Sequence, residues 1–196
     1  PTITELPLLF HDAVQSLTAG GYTWVGIDHF AKQSDGLAQA AENKVAWRNF
    51  GGFTTGKTHN LIGIGPTATC AIGDAYYQNA YDLKEYYQAI DNGRFPIDQG
   101  YKMDSDEVIR RDVIFKIICN SSLEFDEVER KFGISFTEYF AFEVASLSKF
   151  EENGILQFKE NSFALTAVGQ FFGRHVAKVF DKFLQKRGGV YQITGP

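Results

Sequence analysis

The chain has 196 residues, a formal net charge of -5 and 44% hydrophobic residues, an ordinary globular composition that excludes a disordered or fibrous protein. Its two cysteines exclude a disulfide framework and cannot by themselves hold a structural zinc or an iron–sulfur cluster. The mild acidic excess argues against a coat for DNA or anionic membrane; with neither a basic n-region nor a long apolar run at the start, no signal peptide or membrane span is expected, and the expected location is cytoplasmic.

Phe and Tyr number 18 and 9 and are spread along the chain. That spread predicts ring-filled cores that bury most of these side chains. Composition changes near Met103. Residues 1–103 hold 12 of the 19 glycines with 7 basic and 10 acidic residues; residues 104–196 hold 7 glycines with 12 basic and 14 acidic residues. Gly93, Pro96 and Gly100 punctuate the change, so two parts are expected, 1–103 and 104–196.

In chain order, Leu9, Ala13, Val14 and Leu17 mark a helix over 8–17, ended by Gly20-Gly21. Tyr22 to Ile27 is a strand of aromatic and β-branched residues. Helix, two glycines, then strand is the rhythm of an α/β unit, with Asp28-His29 at the strand's carboxyl end, where such folds place ligands. Residues 31–45 have helical potential. Asn49 to Gly56 is too glycine-rich for a regular helix. Leu61 to Gly65 is a second apolar strand. Asp82 and Glu85 cap a helix whose apolar side is Leu83, Tyr86, Tyr87 and Ile90.

The second part reads as amphipathic helices. Asp104 and Glu107 are spaced as a capping box before the face Ile109, Val113, Ile114, Ile117 and Ile118. Leu123–Phe132 predicts a short helix ended by Gly133. Ser135 and Glu138 predict a third box before Phe136, Phe140, Val144 and Leu147, with Gly154 as the stop. Residues 155–165 form a hairpin. Thr166 caps a last helix with Val168, Phe172, Val176, Val179 and Phe183 inward. The tail from Gly188 reads as a frayed end or a short docked strand. Three helices, a hairpin and a closing helix make a winged-helix-like pattern. Its 12 basic and 14 acidic residues, with Glu124 to Glu129 strongly acidic, argue against nucleic acid as a partner.

Several residues carry candidate chemistry. Asp28-His29 is either a polar pair that fixes loops, the commoner use, or an acid–base dyad. Arg48-Asn49 before Gly51-Gly52 suits a carboxylate clamp with anion-receiving turn amides, or a loop held by Asn side-chain bonds. Gly63, Gly65 and Gly73 form neither a dinucleotide fingerprint nor a P-loop. Gly73 to Asn79 lines a pocket or ties a turn to the next helix. His11 and His59 lack ligand partners nearby in sequence, and His175 reads as a packed helix residue. Cys70 and Cys119 lie 49 positions apart in apolar surroundings and read as buried thiols.

At Gly26-Ile27-Asp28-His29-Phe30-Ala31 the chain resembles the carboxyl-terminal part of oxygen-independent coproporphyrinogen III oxidase, a radical S-adenosylmethionine family. The likeness continues, in order, through Arg48 to Thr55, Leu61 to Gly65, Gly73 to Asn79, Arg110 to Ile114, Glu138 to Ala141 and the hairpin, to about residue 186. The resemblance implies the end of an incomplete radical-SAM-type β/α barrel over 1–103, followed by a winged-helix-like accessory domain. It implies a longer parent enzyme that decarboxylates two propionates of coproporphyrinogen III oxidatively, giving protoporphyrinogen IX for haem. S-adenosylmethionine and a 4Fe-4S cluster are the parent's implied cofactors, the cluster held by a CxxxCxxC motif that this chain lacks. The chain alone is therefore expected to be inactive and to bind neither cofactor fully. Its partners are the tetrapyrrole substrate and a missing upstream barrel segment, and an exposed strand edge at 22–27 or 61–65 offers a route to a non-native dimer.

The same resemblance places Asp28, His29, Arg48 and Asn49 on the substrate side and Gly51 and Thr69 at S-adenosylmethionine. Gly51 stands where the family pattern has Gln, and Thr69 where it has an apolar residue, so an amide and an apolar contact are exchanged. The alternative reading is a non-catalytic tetrapyrrole-binding or protein-interaction domain of a divergent relative.

Overall fold

The computed structural model describes residues 2, 5–57 and 60–186, without the side chains of 185 and 186. His59 and the tail after 186 lie outside the described residues.

Helix α1 (Leu6–Ala19) carries Pro7 in its first turn, where a missing N–H costs nothing, and ends at Gly20. Strand β1 (Tyr22–Gly26) then turns straight back onto β2 (His29–Lys32), with Trp24 opposite Phe30 and Gly26 opposite His29. The turn is Ile27-Asp28, and Ile27 sits at φ +53°. The helix–glycine–strand rhythm therefore does not continue into a parallel unit. A parallel neighbour needs a crossover of about a dozen residues, whereas β1 meets its partner after two. Every strand pairing among the described residues is antiparallel. The α/β composition holds, and parallel barrel strands are not among these pairings.

The helical potential of 31–45 is realised only as α2 (Gly36–Glu42), because Asp35 caps it by accepting from Leu37 N at 2.8 Å and β2 occupies the residues before. Strands β3 (Trp47–Asn49) and β4 (Gly52–Thr54) form the glycine-rich hairpin. A four-stranded antiparallel sheet follows: β5 (Asn60–Leu61), β6 (Thr69–Ile72), β7 (Ala75–Asn79) and β8 (Ile97–Lys102). Strand character predicted over 61–65 stops at Leu61. Beyond it the chain is held by the buried Asn79 amide, which donates to Gly65 O at 2.9 Å and Gly63 O at 3.4 Å. Ile62 and Ile64 are left 71% and 91% exposed. Helix α3 (Leu83–Asp91) starts at the Asp82 cap, but none of its residues is buried. Its expected inward face, Leu83, Tyr87 and Ile90, points to solvent.

Helix α4 (Ser105–Asn120) opens with the complete Asp104–Glu107 capping box and buries Ile109, Val113 and Ile117. Ser122–Glu124 is a strand, β9, so the next helix, α5, is only Phe125–Phe132. The Ser135–Glu138 box does not form; Glu129 reaches over and accepts from Phe136 N at 2.7 Å. The following helix is split at Phe140 into α6 (Phe136–Tyr139) and α7 (Ala141–Glu152). Hairpin strands β10 (Leu156–Lys159) and β11 (Ser162–Leu165) pair as expected, and β11 also takes β9 on its other edge. The closing helix is not continuous. Thr166 Oγ1 accepts from Gly169 N at 2.9 Å, a 3-10 turn covers Gly169–Phe172, and α8 (Gly173–Lys178) and α9 (Lys182–Lys186) follow. A Cβ at Gly169 would lie 1.7 Å from Ile155 O, so only glycine lets the turn approach the hairpin. With the helix broken, Val176 and Val179 are buried while Val168 and Phe183 face outward.

The main core belongs to this helical part. Phe125, Phe136, Phe140, Phe163 and Phe180 contact one another there, with Phe125 stacked on Phe136 at 4.3 Å. The first part has a small core of Val25, Ala31 and Ala38. Rings are thus not mostly buried: Phe50, Tyr81, Tyr87, Phe95 and Tyr101 of the first part are exposed. Among the described residues no helix is long and apolar enough to cross a membrane.

Candidate functional site

Two of the six singled-out residues, His29 and Arg48, meet on one ring, Phe53 of β4, and Asp28 and Asn49 are their chain neighbours. Asp28 in the β1–β2 turn accepts from His29 Nδ1 at 2.8 Å, which fixes the imidazole and leaves Nε2 facing the β3–β4 hairpin. The His29 ring meets Phe53 edge-on at 5.1 Å. Arg48, directly opposite Phe53 in the ladder, lays its guanidinium 5.9 Å from the same ring. Asn49 is in the same hairpin, where its Oδ1 accepts from Gly51 N at 2.8 Å.

Two glycines make this approach possible. Gly52 has φ +126°, and a Cβ there would lie 3.1 Å from His29 Nε2; Gly26 has φ +153°, and its Cβ would lie 2.9 Å from Phe53 Cζ. Thr69 is elsewhere, on β6 opposite Gln78. The turn residue Phe50 bridges towards that sheet through an edge contact with Tyr76 at 5.2 Å.

Electrostatics sharpen the pair. Burial alone would raise the Asp28 carboxyl. Its own backbone N–H, the His29 hydrogen bond and the charges of His29 and Arg174 outweigh that and hold it below the usual carboxylate range. The Arg48 Nε is buried and has no hydrogen-bond partner.

Asp28 also borders a cavity of about 970 Å³ between α1, β1, the end of α4 and α8. Phe10, Trp24, Phe171 and Phe172 line its apolar wall. Trp24 is 5.9 Å from Phe10 and 4.9 Å from Phe171, and its Nε1 donates to Ile27 O at 2.9 Å. The charged lining is Lys44, Arg174 and Lys178 against Asp28 and Glu42.

Residues 103–172 match the HemN C-terminal domain. Nearly the whole chain is similar to oxygen-independent coproporphyrinogen III oxidases. The Salmonella typhimurium protein of that name is 38% identical over 186 residues, 95% of this chain and 41% of the relative. The Pseudomonas aeruginosa protein is 38% identical over 170 residues, 87% of this chain and 37% of the relative. A solved structure of coproporphyrinogen III oxidase (HemN) from Escherichia coli, described as a radical SAM enzyme, superposes with a TM-score of 0.88 at 35% identity, covering 94% of this chain and 42% of that one. The chain spans about two fifths of the length of these relatives.

The residues present can be set against the iron–sulfur cluster that a radical SAM enzyme needs. Iron–sulfur clusters are held by several Cys thiolates. Among the described residues no group of three or more His, Cys, Asp or Glu could hold a metal ion. Cys70 and Cys119 are both buried, and burial pushes the Cys119 thiol up to about 12. These residues do not fit a cluster. At Gly51 the only polar groups are backbone, and its N–H is already committed to Asn49.

Sequence reasoning missed Phe53, Gly26 and Gly52 as the packing hub, and missed the cavity with Arg174. A ring following two glycines, next to a strand-end His, is the sequence signal for the hub. Nothing local marks Arg174, because the 3-10 turn that delivers α8 to β1 depends on the hairpin.

Proposed function

We propose that this chain is the carboxyl-terminal part of an oxygen-independent coproporphyrinogen III oxidase-like enzyme, which converts coproporphyrinogen III to protoporphyrinogen IX by oxidative decarboxylation in haem formation. The observation that carries the reading is that likeness in sequence and in fold runs together over 94% of the chain, at 35% identity and a TM-score of 0.88. The 4Fe-4S cluster belongs to the parent's upstream barrel segment, because no group among the described residues fits a cluster, and S-adenosylmethionine lies between that segment and this chain. In this reading residues 1–103 close the end of the barrel and 104–196 form a winged-helix-like accessory domain beside the substrate. Asp28, His29, Arg48 and Asn49 shape the substrate side; Gly51 and Thr69 border S-adenosylmethionine with fewer side-chain contacts than the family pattern supplies.

The test is a chimera in which this chain replaces the matching part of the Escherichia coli enzyme. The reconstituted, anaerobic chimera should form protoporphyrinogen IX from coproporphyrinogen III. A folded, cluster-loaded chimera that cleaves S-adenosylmethionine but leaves coproporphyrinogen III untouched would overturn the reading in favour of a non-catalytic domain.

A further inference from the structure

We propose that the cavity between α1, β1, α4 and α8 is the seat of a tetrapyrrole bearing propionates, with Arg174 receiving one carboxylate; this rests on the functional reading above and names its ligand site. The volume of about 970 Å³ lies at the upper end of the roughly 300–1,000 Å³ range of small-molecule and cofactor pockets, so it suits a large ligand. The wall chemistry suits a flat ring: Phe10, Trp24, Phe171 and Phe172 are all half-buried rather than packed away, leaving aromatic surface to cover.

The polar groups suit an acid. Three basic side chains face two acidic ones on the lining. Both acids have partners: Asp28 accepts from His29 at 2.8 Å, and Glu42 accepts from Thr23 Oγ1 at 3.5 Å. Arg174 is exposed and acts on Asp28 through charge, yet no hydrogen bond or ion pair engages its guanidinium among the described residues. A planar fork of donors at the mouth of an apolar cavity is the group that best receives a carboxylate.

Backbone strain points to the same place. Ile27, Lys44 and Ser121, three of the four non-glycine residues with positive φ among the described residues, line the cavity at +53°, +57° and +53°; Ser121 is the left-handed cap that ends α4, whereas Ile27 sits in a two-residue turn. A β-branched residue in that region is rare and collects at binding sites. Ile27 is held there by the Trp24 hydrogen bond, so the strained turn, the aromatic wall and Asp28 form one unit.

The experiment uses the 196-residue chain with Trp47→Phe, so that Trp24 is the single reporter, titrated with coproporphyrin III as a stable fluorescent analogue. Saturable quenching of Trp24 is expected. Arg174→Gln should weaken it about tenfold, one carboxylate contact, and Arg174→Lys should restore part of the loss; both variants should melt like the parent because the side chain is exposed. Absence of quenching, or equal affinity in the parent and Arg174→Gln, would overturn the site. Failure here with an active chimera leaves the enzyme reading standing; quenching that depends on Arg174 with an inactive chimera keeps the site and refutes the enzyme.

Discussion

Asp112 joins three segments, and replacing it by Asn tests how the two parts are held. The side chain is 5% exposed on α4. Lys57 beyond β4 approaches Oδ1 at 3.3 Å and Lys131 of α5 at 2.5 Å. Asp112→Asn keeps the shape and removes the charge. Breaking a fully buried ion pair costs about 3–5 kcal/mol, but both lysines are partly exposed, 40% and 44%, so solvent recovers part of this and about 2 kcal/mol is the reasoned figure. Unfolding entropy near 2.1 cal/mol/K per residue gives roughly 0.4 kcal/mol per kelvin for this length, so the melting point should fall by about 5 °C.

The pH dependence fixes the cause. Burial pushes the Asp112 carboxyl up, but the Lys131 hydrogen bond and the charges of Lys131, Lys57 and Lys116 outweigh it and lower it. A lowered folded-state value means the unfolded chain binds the proton first as pH falls. The stabilisation is therefore complete above the unfolded value near 3.9 and is lost as pH drops through the folded value. Melts of the parent and Asp112→Asn should differ fully at about pH 7 and converge only as the pH falls below the unfolded carboxylate value of about 3.9. In a Lys57→Met, Lys131→Met background the difference should shrink by more than half. A gap that ignores pH and both lysines would refute the ion-pair account.

Four further outcomes are expected. Gly52→Ala forces a side chain into φ +126° and 3.1 Å from His29 Nε2; it should cost roughly 1–3 kcal/mol and shift the His29 ring resonances, and an unchanged spectrum and melt would count against the hub. Gly51→Gln has no positive φ to resist it and meets only Asn49 Oδ1 at 3.3 Å; stability should change by less than about 0.5 kcal/mol, while S-adenosylmethionine binding by the chimera should tighten in equilibrium dialysis. Gly169→Ala, with its Cβ 1.7 Å from Ile155 O, should displace the 3-10 turn and lower the melting point by more than about 5 °C. Cys119, its thiol pushed up to about 12 by burial, should resist a thiol reagent in the folded chain and react once denaturant is added.

Local rules are legible in this sequence and long-range ones are not. The Asp104–Glu107 box and the Asp82 cap follow from residues three apart, and both form. The Ser135–Glu138 spacing is equally good, yet Glu129 seven residues before Phe136 takes the amide instead. The β1–β2 turn is hidden because it needs Ile27 at positive φ, which no propensity favours; the Trp24 indole and packing against α4 impose it. Of the site residues, Asp28 with His29 and Arg48 with Asn49 are legible as pairs. The meeting of His29 and Arg48 over Phe53 is not, since it depends on bare Cα atoms at Gly26 and Gly52.

Helix α4 explains how the two parts are held together despite the change of composition at Met103. From the first part, Trp47 packs on Phe115 at 5.2 Å, Lys57 pairs with Asp112, and Gly73 O accepts from Arg111 at 3.1 Å. From the second, Glu143 pairs with Arg110 at 2.7 Å, and Lys182 of α9 reaches Asp104 at 2.8 Å and Glu107 at 3.2 Å. The same helix ends at Asn120-Ser121 on the wall of the cavity. Each contact alone is a partly screened pair of modest worth. Together they fix one rigid element on both sides, with α8 and Arg174 packed on it from one part and β1 and Asp28 from the other. Loosening α4, as Asp112→Asn does, should therefore weaken coproporphyrin III quenching of Trp24 although Asp112 is not among the residues lining the cavity.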